Sequence, residues 1–216
     1  MATKKKTTEA ENKNIVIPAI NIQVFDLNIV GDSPFICHAW SEKAKIMMLQ
    51  KQQKKATAGK EVRNPMREYA DSLYWLSEKP NFDDMTEDEI FEATQKGKFG
   101  FPTLAFKAAA VDAGYQSGVL DKKTTARGAF HILGDFAEIN GKPSIREDMT
   151  RIGMGTADLR YRAEFKEWST TLKIKLNTGA MSMEQVINLM NIGGFACGIG
   201  DWRVAKDGVF GMFHVE

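Results

Sequence analysis

The stretch "DLRYRAEFKEWSTTLKIKL", residues 158–176, decides the fold class. From 158 to 165, Leu159, Tyr161, Ala163 and Phe165 alternate with Arg160, Arg162, Glu164 and Lys166. From 170 to 176, Leu172, Ile174 and Leu176 alternate with Thr171, Lys173 and Lys175. Period-two alternation is the signature of a half-buried strand. The phase changes at Glu167 to Ser169, where a chain reversal would sit. The expectation is two antiparallel strands with a shared polar face.

Reading toward the C-terminus, "SMEQVINLMNIGG" (182–194) is a helix capped by Ser182,. Met183, Val186, Ile187 and Met190 lie on one face, and Gly193 or Gly194 should end it. Next comes "GGFACGIGDWR" (193–203), whose Gly198 and Gly200 turn the chain before Asp201, Trp202 and Arg203,. A last strand occupies 208–216. Reading toward the N-terminus, 126–141 reads as strands with a turn at Asn140–Gly141. A helix at 101–114 has Pro102 in its first turn and Gly114 at its end. Thr86 with Glu89 fits a capping box. Residues 65–80 stay open between helix and strand. A helix at 41–55 starts from Ser41, and 15–31 is a strand with Pro18 at an edge or bend. Its apolar residues change parity, from Ile20, Ile22 and Val24 to Phe25, Leu27 and Ile29, which calls for a bulge or burial on both faces. The order strand, strand, helix, glycine loop, strand suits an α+β, ferredoxin-like fold, with helices on one face of an antiparallel sheet.

The chain has 216 residues, 43% hydrophobic, with a formal charge of +1. That is ordinary for a globular protein and excludes a globally basic one. Residues 1–14 read as a disordered tail, and 15–216 as a single domain with a flexible basic insertion near 51–64. The polar N-terminus lacks an apolar signal region, and no apolar run is long enough to span a bilayer. A cytoplasmic protein without membrane contact is expected, with Cys37 and Cys197 as reduced thiols.

No catalytic constellation emerges. His38, His131 and His214 are not at metal-ligand spacing. The acidic run Asp83 to Glu89 lacks the spacing of a calcium loop. Asp135 and Asp201 have no evident partner. The glycine stretch has no Lys-Ser/Thr pair and is not a phosphate-binding P-loop. No enzyme, metal or cofactor is expected.

Basic residues carry the binding candidates. Lys51, Lys54, Lys55, Lys60 and Arg63 lie in the most positive segment. Arg160, Arg162, Lys173 and Lys175 share the expected polar sheet face, and Arg203 adjoins the glycine loop. Such a surface could follow a single strand of DNA or RNA by its phosphates. Composition alone leaves it equally open to a solvated face with cross-strand ion pairs.

The stretches "FGFPTLAFKAAAVDAG", "ARGAFHILGDFAEI", "SIREDMTRIGMGTADLRYRAEFKEW" and "GGFACGIGDWRVAKDGVFGMFHV" together resemble a family of uncharacterised tailed-phage proteins. The basic insertion and the glycine loop before a C-terminal strand also resemble the repeat-associated mysterious protein (RAMP) superfamily, which includes backbone subunits of CRISPR effector complexes. That resemblance implies a RAMP-like, RRM-like sheet. Residues 51–64 would correspond to a basic thumb, and Gly198 to Arg203 to the glycine loop. The glycine stretch lacks the dense arginines or lysines usual there. The implied function is a phage-encoded, oligomeric nucleic-acid-binding protein in replication, recombination or counter-defence. The alternative is an interaction module that self-assembles, or blocks a host complex by subunit mimicry, with Trp202 as docking residue.

Overall fold

The computed structural model describes residues 19–40, 42–54, 62–152 and 155–216. The central sheet is built on β9 (Ser169–Asn177). Thr170, Leu172, Ile174 and Leu176 are buried, and Thr171, Lys173 and Lys175 are exposed. On one side β9 pairs antiparallel with β1 (Ile22–Gly31), from Ile22 opposite Asn177 to Val30 opposite Ser169. On the other it pairs with β5 (Phe130–Ile132). The short β10 (Phe213–Val215) borders β1, giving the antiparallel order β10-β1-β9-β5. β1 has no bulge and is not buried on both faces. Leu27 and Ile29 enter the core with Phe25 packed against it, while Ile20, Ile22 and Val24 stay exposed.

Two helices cover one face of this sheet. α4 (Thr103–Gln116) and α6 (Met183–Ala196) join the sheet's inward residues in one cluster through Phe106, Ala109, Ala110, Val186, Leu189 and Met190. The glycines expected to stop these helices lie inside them. Gly114 precedes the last residue of α4 by two, and its missing side chain makes room for Leu189 and Leu120. In α6, a Cβ at Gly193 would come 2.7 Å from the Ala110 backbone, and one at Gly194 would overlap the carbonyl oxygen of Phe213. Close approach, not termination, is why glycine stands there. The capping box of α6 is formed by Ser182 and Gln185.

The rest of the chain packs beside this unit. One sheet has the order β2-β8-β7, from β2 (Phe35–Cys37), β7 (Pro143–Ile152) and β8 (Thr156–Phe165). Another has the order β3-β4-β6, from β3 (Tyr74–Trp75), β4 (Phe99–Pro102) and β6 (Phe136–Ile139). Four shorter helices are α1 (Glu42–Gln52), α2 (Pro65–Asp71), α3 (Glu87–Lys96) and α5 (Lys123–Ala129). The open segment 65–80 is thus α2 followed by β3, and the start of 126–141 is helical. The capping box of Thr86 and Glu89 opens α3. The last strand is confined to β10. The tail 1–14, Pro18, Ser41 and residues 55–61 lie outside the described residues. Among the described residues, no helix is long and apolar enough to cross a membrane.

The expected pairing of 158–165 with 170–176 does not occur, because β8 and β9 belong to different sheets. Between them Trp168 is buried, its indole Nε1 donating 2.9 Å to the Ser33 carbonyl oxygen. Its ring lies against Phe35 and Phe213, in space left by the absent side chain of Gly31. That anchor makes residues 166–168 a corner between sheets and not a hairpin turn.

Gly194→Ala tests the helix packing. Glycine to alanine inside a helix ordinarily gains about 1 kcal/mol. Here overpacking, costing about 1–3 kcal/mol or more, outweighs that gain. The urea midpoint should fall.

Candidate nucleic-acid interface

The structure divides the expected basic residues between two surfaces. The first is a groove of about 1260 Å³ lined by α1, α2 and β8, which brings Arg63, Arg160 and Arg162 together. Arg63 is clamped: Nε and Nη2 donate to Glu68 at 2.7 and 2.6 Å, and Nη1 to Asp158 at 2.8 Å. The Glu68 hydrogen bond, against the effect of burial, pushes its guanidinium further up. Arg160 lies 3.5 Å from the same Asp158. Elsewhere in the groove Arg67 pairs with Asp83 and Lys79 with Asp71. Its five Lys and Arg residues face five Asp and Glu residues, so it presents no net positive field,.

Arg162 is not on a solvated face. It is 4% exposed, with Nε 3.4 Å from Asp201 and Nη1 3.7 Å from Asp148. Both nitrogens lack a hydrogen bond, so the guanidinium is held by charge and not by good donor geometry,. Glu164 is buried beside it and accepts from Arg146 at 2.8 Å. On the charged parity of β8, Arg162 and Glu164 are buried while Arg160 is not, and the glycine loop lies over the buried part. Asp201 donates its amide N–H to Ile36 and Gly211 to Pro34, and the Phe210 ring sits 4.7 Å from the Arg146 guanidinium.

Asp201 therefore has partners that the sequence did not suggest, His38 Nδ1 at 2.9 Å and Arg162. Burial opposes its ionisation, but the His38 hydrogen bond and the neighbouring positive charges outweigh it and hold the carboxyl below its usual range. Gly198 and Gly200 have φ of +66° and +78°, and a Cβ at Gly200 would come 2.5 Å from the Ile36 carbonyl oxygen. The loop thus lies close to β2 of this same chain. Trp202 is 44% exposed, with φ of +54°. Arg203 is half-buried and donates to the Gly200 carbonyl oxygen at 3.2 Å. Cys37 and Cys197 are buried free thiols, and burial pushes Cys37 up to about 12. Lys51 and Lys54 are exposed at the end of α1, while Lys55 and Lys60 lie outside the described residues.

The second surface is the face of the central sheet that no helix covers among the described residues. Lys173 and Lys175 project from β9, with His131 opposite Lys175 across the ladder. Lys107, from α4, reaches the sheet edge, where its Nζ lies 3.3 Å from His131 Nδ1 and 2.9 Å from the Arg127 carbonyl oxygen. Among the described residues none of the three lysines forms an ion pair within 4 Å, and Asp26 is the one acid directly opposite them. Burial first, then the charges of Lys107 and Lys175, hold His131 below its ordinary value. Lys107 is not among the sequence candidates and His131 is weighed there only as a metal ligand, although the alternation Phe130, His131, Ile132 already places the imidazole opposite the core.

No family model matches the chain, and no curated protein matches it. Among solved structures the fold is similar to Cmr6 from Pyrococcus furiosus, with a TM-score of 0.36 and 11% identity. The likeness covers 92% of this chain and all of that one.

Two measurements separate the surfaces. His131 should titrate below a free histidine by NMR, and Lys175→Gln should raise its pKa. Arg162→Ala should cost about 3 kcal/mol or more in denaturant unfolding, because Asp148 and Asp201 lose their shared cation.

Proposed function

We propose that this protein binds single-stranded nucleic acid through the bare face of the central sheet, by contacts to the phosphate backbone. The supporting observation is the cluster of Lys107, Lys173 and Lys175 beside His131, none of them in an ion pair within 4 Å among the described residues, set against a groove whose cations are all matched by acids. The strand order β10-β1-β9-β5, joined through α4 and α6, supports a ferredoxin-like reading, in which the strands follow a 4-1-3-2 order,. Other sheets of this kind carry single strands on the face opposite their helices. Here that face has Ile22, Val24, Asp26 and Asn28 on β1, and no Phe, Tyr or Trp from its two central strands. With no such ring on the two central strands, the contact is chiefly electrostatic and indifferent to base sequence. The sequence resemblances add the setting: a phage protein of RAMP-like kind, acting in replication, recombination or counter-defence. The role is binding and assigns the chain no catalytic step.

A second reading, an interaction module, is favoured by α1, which exposes Ile46, Met47, Met48 and Leu49 by about half each. Four adjacent apolar side chains on one short exposed helix suit a protein surface better than a phosphate backbone.

Filter binding to single-stranded DNA and RNA at low salt tests the first reading. Three lysine contacts give a slope of log K against log salt of roughly −2. Lys173→Glu with Lys175→Glu should weaken binding about tenfold or more. A bound phosphate favours the imidazolium of His131, so binding takes up a proton. Affinity should rise as pH falls through the bound-state pKa, then level off below the free-state one. Retained affinity in the double variant would sink this reading.

A further inference from the structure

We infer that the free edge of β1 pairs with the same edge of a second copy, joining two central sheets into one. β10 covers only Ile29, Val30 and Gly31 of the ten residues of β1. One further bond follows, from the Glu216 N–H to the Asn28 carbonyl oxygen at 3.1 Å. Among the described residues, Ile22 to Leu27 have no neighbour on that side.

The direction of the backbone groups follows from the bonds that are made. The Asn28 carbonyl and the Asp32 N–H point toward the β10 side, the latter to Met212. The Gly31 N–H and the Asn21 carbonyl point the other way, to Trp168 and Thr178. Backbone groups alternate along a strand, so Ile22, Val24 and Asp26 aim both N–H and C=O at the open edge.

Native sheets blunt such edges with proline, lysine, charge or a bulge. The outer strand β7 follows that rule, with Arg146, Glu147, Asp148 and Arg151. The open part of β1 does so only through Asp26. It reads "IQVFDL", without proline, basic residue or bulge, and Val24 is 55% exposed.

The occupant that fits is a second copy related by a two-fold axis at Val24. Antiparallel pairing sets Val24 against Val24 and Ile22 against Asp26, each as a hydrogen-bonded pair. The exposed side chains of Ile22 and Val24 from both copies form one apolar strip. The two Asp26 carboxylates, the only charges in the stretch, fall at opposite ends, on the order of 14 Å apart. The edge is therefore complementary to itself in hydrogen bonding, in shape and in charge. A consequence, which rests on the nucleic-acid reading, is that Lys173 and Lys175 of both copies share one continuous face.

Light scattering on the full chain, nuclease-treated and at micromolar concentrations, tests the pairing. The expected mass is twice the 24.1 kDa of one chain. Val24→Pro removes an N–H that no ladder within the chain uses, and Ile22→Lys places a charge on the edge. Each should give a monomer with an unchanged circular dichroism spectrum, and Ile22→Lys decides the matter if the proline variant misfolds. A monomeric wild type, whether another segment of the chain or nothing covers the edge, overturns the proposal. So does a dimer that survives Ile22→Lys. The charge-reversed Lys173 and Lys175 variant should remain dimeric. If it does while wild type fails to bind nucleic acid, only the nucleic-acid reading falls.

Discussion

The position of α6 depends on two absent side chains. At Gly193 its backbone lies against that of Ala110, and at Gly194 against Phe213. Any larger residue would lift the helix from α4 and from β10. With the helices seated, the inward residues of all four central strands share one buried layer, including Leu27, Ile29, Leu172, Ile174, Phe130 and Phe213. Each of these buries apolar surface at about 25 cal/mol per Å². Period two then sends Lys173, Lys175, His131 and Val24 to the other side. The bare face is a consequence of how tightly the opposite one is covered.

A second constraint keeps other charges out of play. The β2-β8-β7 sheet carries a buried set of Arg146, Asp148, Arg162 and Glu164, closed over by the glycine loop and joined to it through Asp201. Withdrawing such charges from water costs several kcal/mol per ion, and mutual pairing offsets that cost only when partners stay in place. Gly200 admits the Ile36 carbonyl, and the left-handed turns at Gly198 and Gly211 bring the loop back over the sheet. Arg162 is thereby a structural cation, committed to holding two carboxylates and unavailable to a ligand.

Part of this was legible in the sequence. The alternation at 170–176 identified β9 and its faces, and Ser182 and Thr86 marked the starts of α6 and α3. These are local signals, written within a few residues. Alternation reports which side chains share a face but not which strand lies alongside, so β8 and β9 looked like partners. Trp168, which separates them, works through Ser33 and Phe35, far away in sequence. Glycine is equally ambiguous, since the same residue ends a helix or admits a neighbour, and Gly114, Gly193 and Gly194 do the latter. The burial of Arg162 could not be read from its own strand, because what covers it begins nearly forty residues later.

Pairing, rather than the number of cations, decides which surface suits a polyanion. In the groove Arg63, Arg67, Lys79 and Arg160 each have a carboxylate within 4 Å, so their fields cancel well inside a Debye length of about 8 Å,. A phosphate entering there must displace a carboxylate already in place. On the sheet face Lys173 and Lys175 stand roughly 7 Å apart along one strand, close to the spacing of successive phosphates in an extended single strand. Their ammonium groups lose only water when a phosphate arrives. The apolar strip of Ile22 and Val24 beside them offers nothing to a phosphate, yet it borders the unpaired edge of β1. One face thus carries two demands, charge toward β5 and apolar contact toward the open edge, and pairing of two copies satisfies the second without hiding the first.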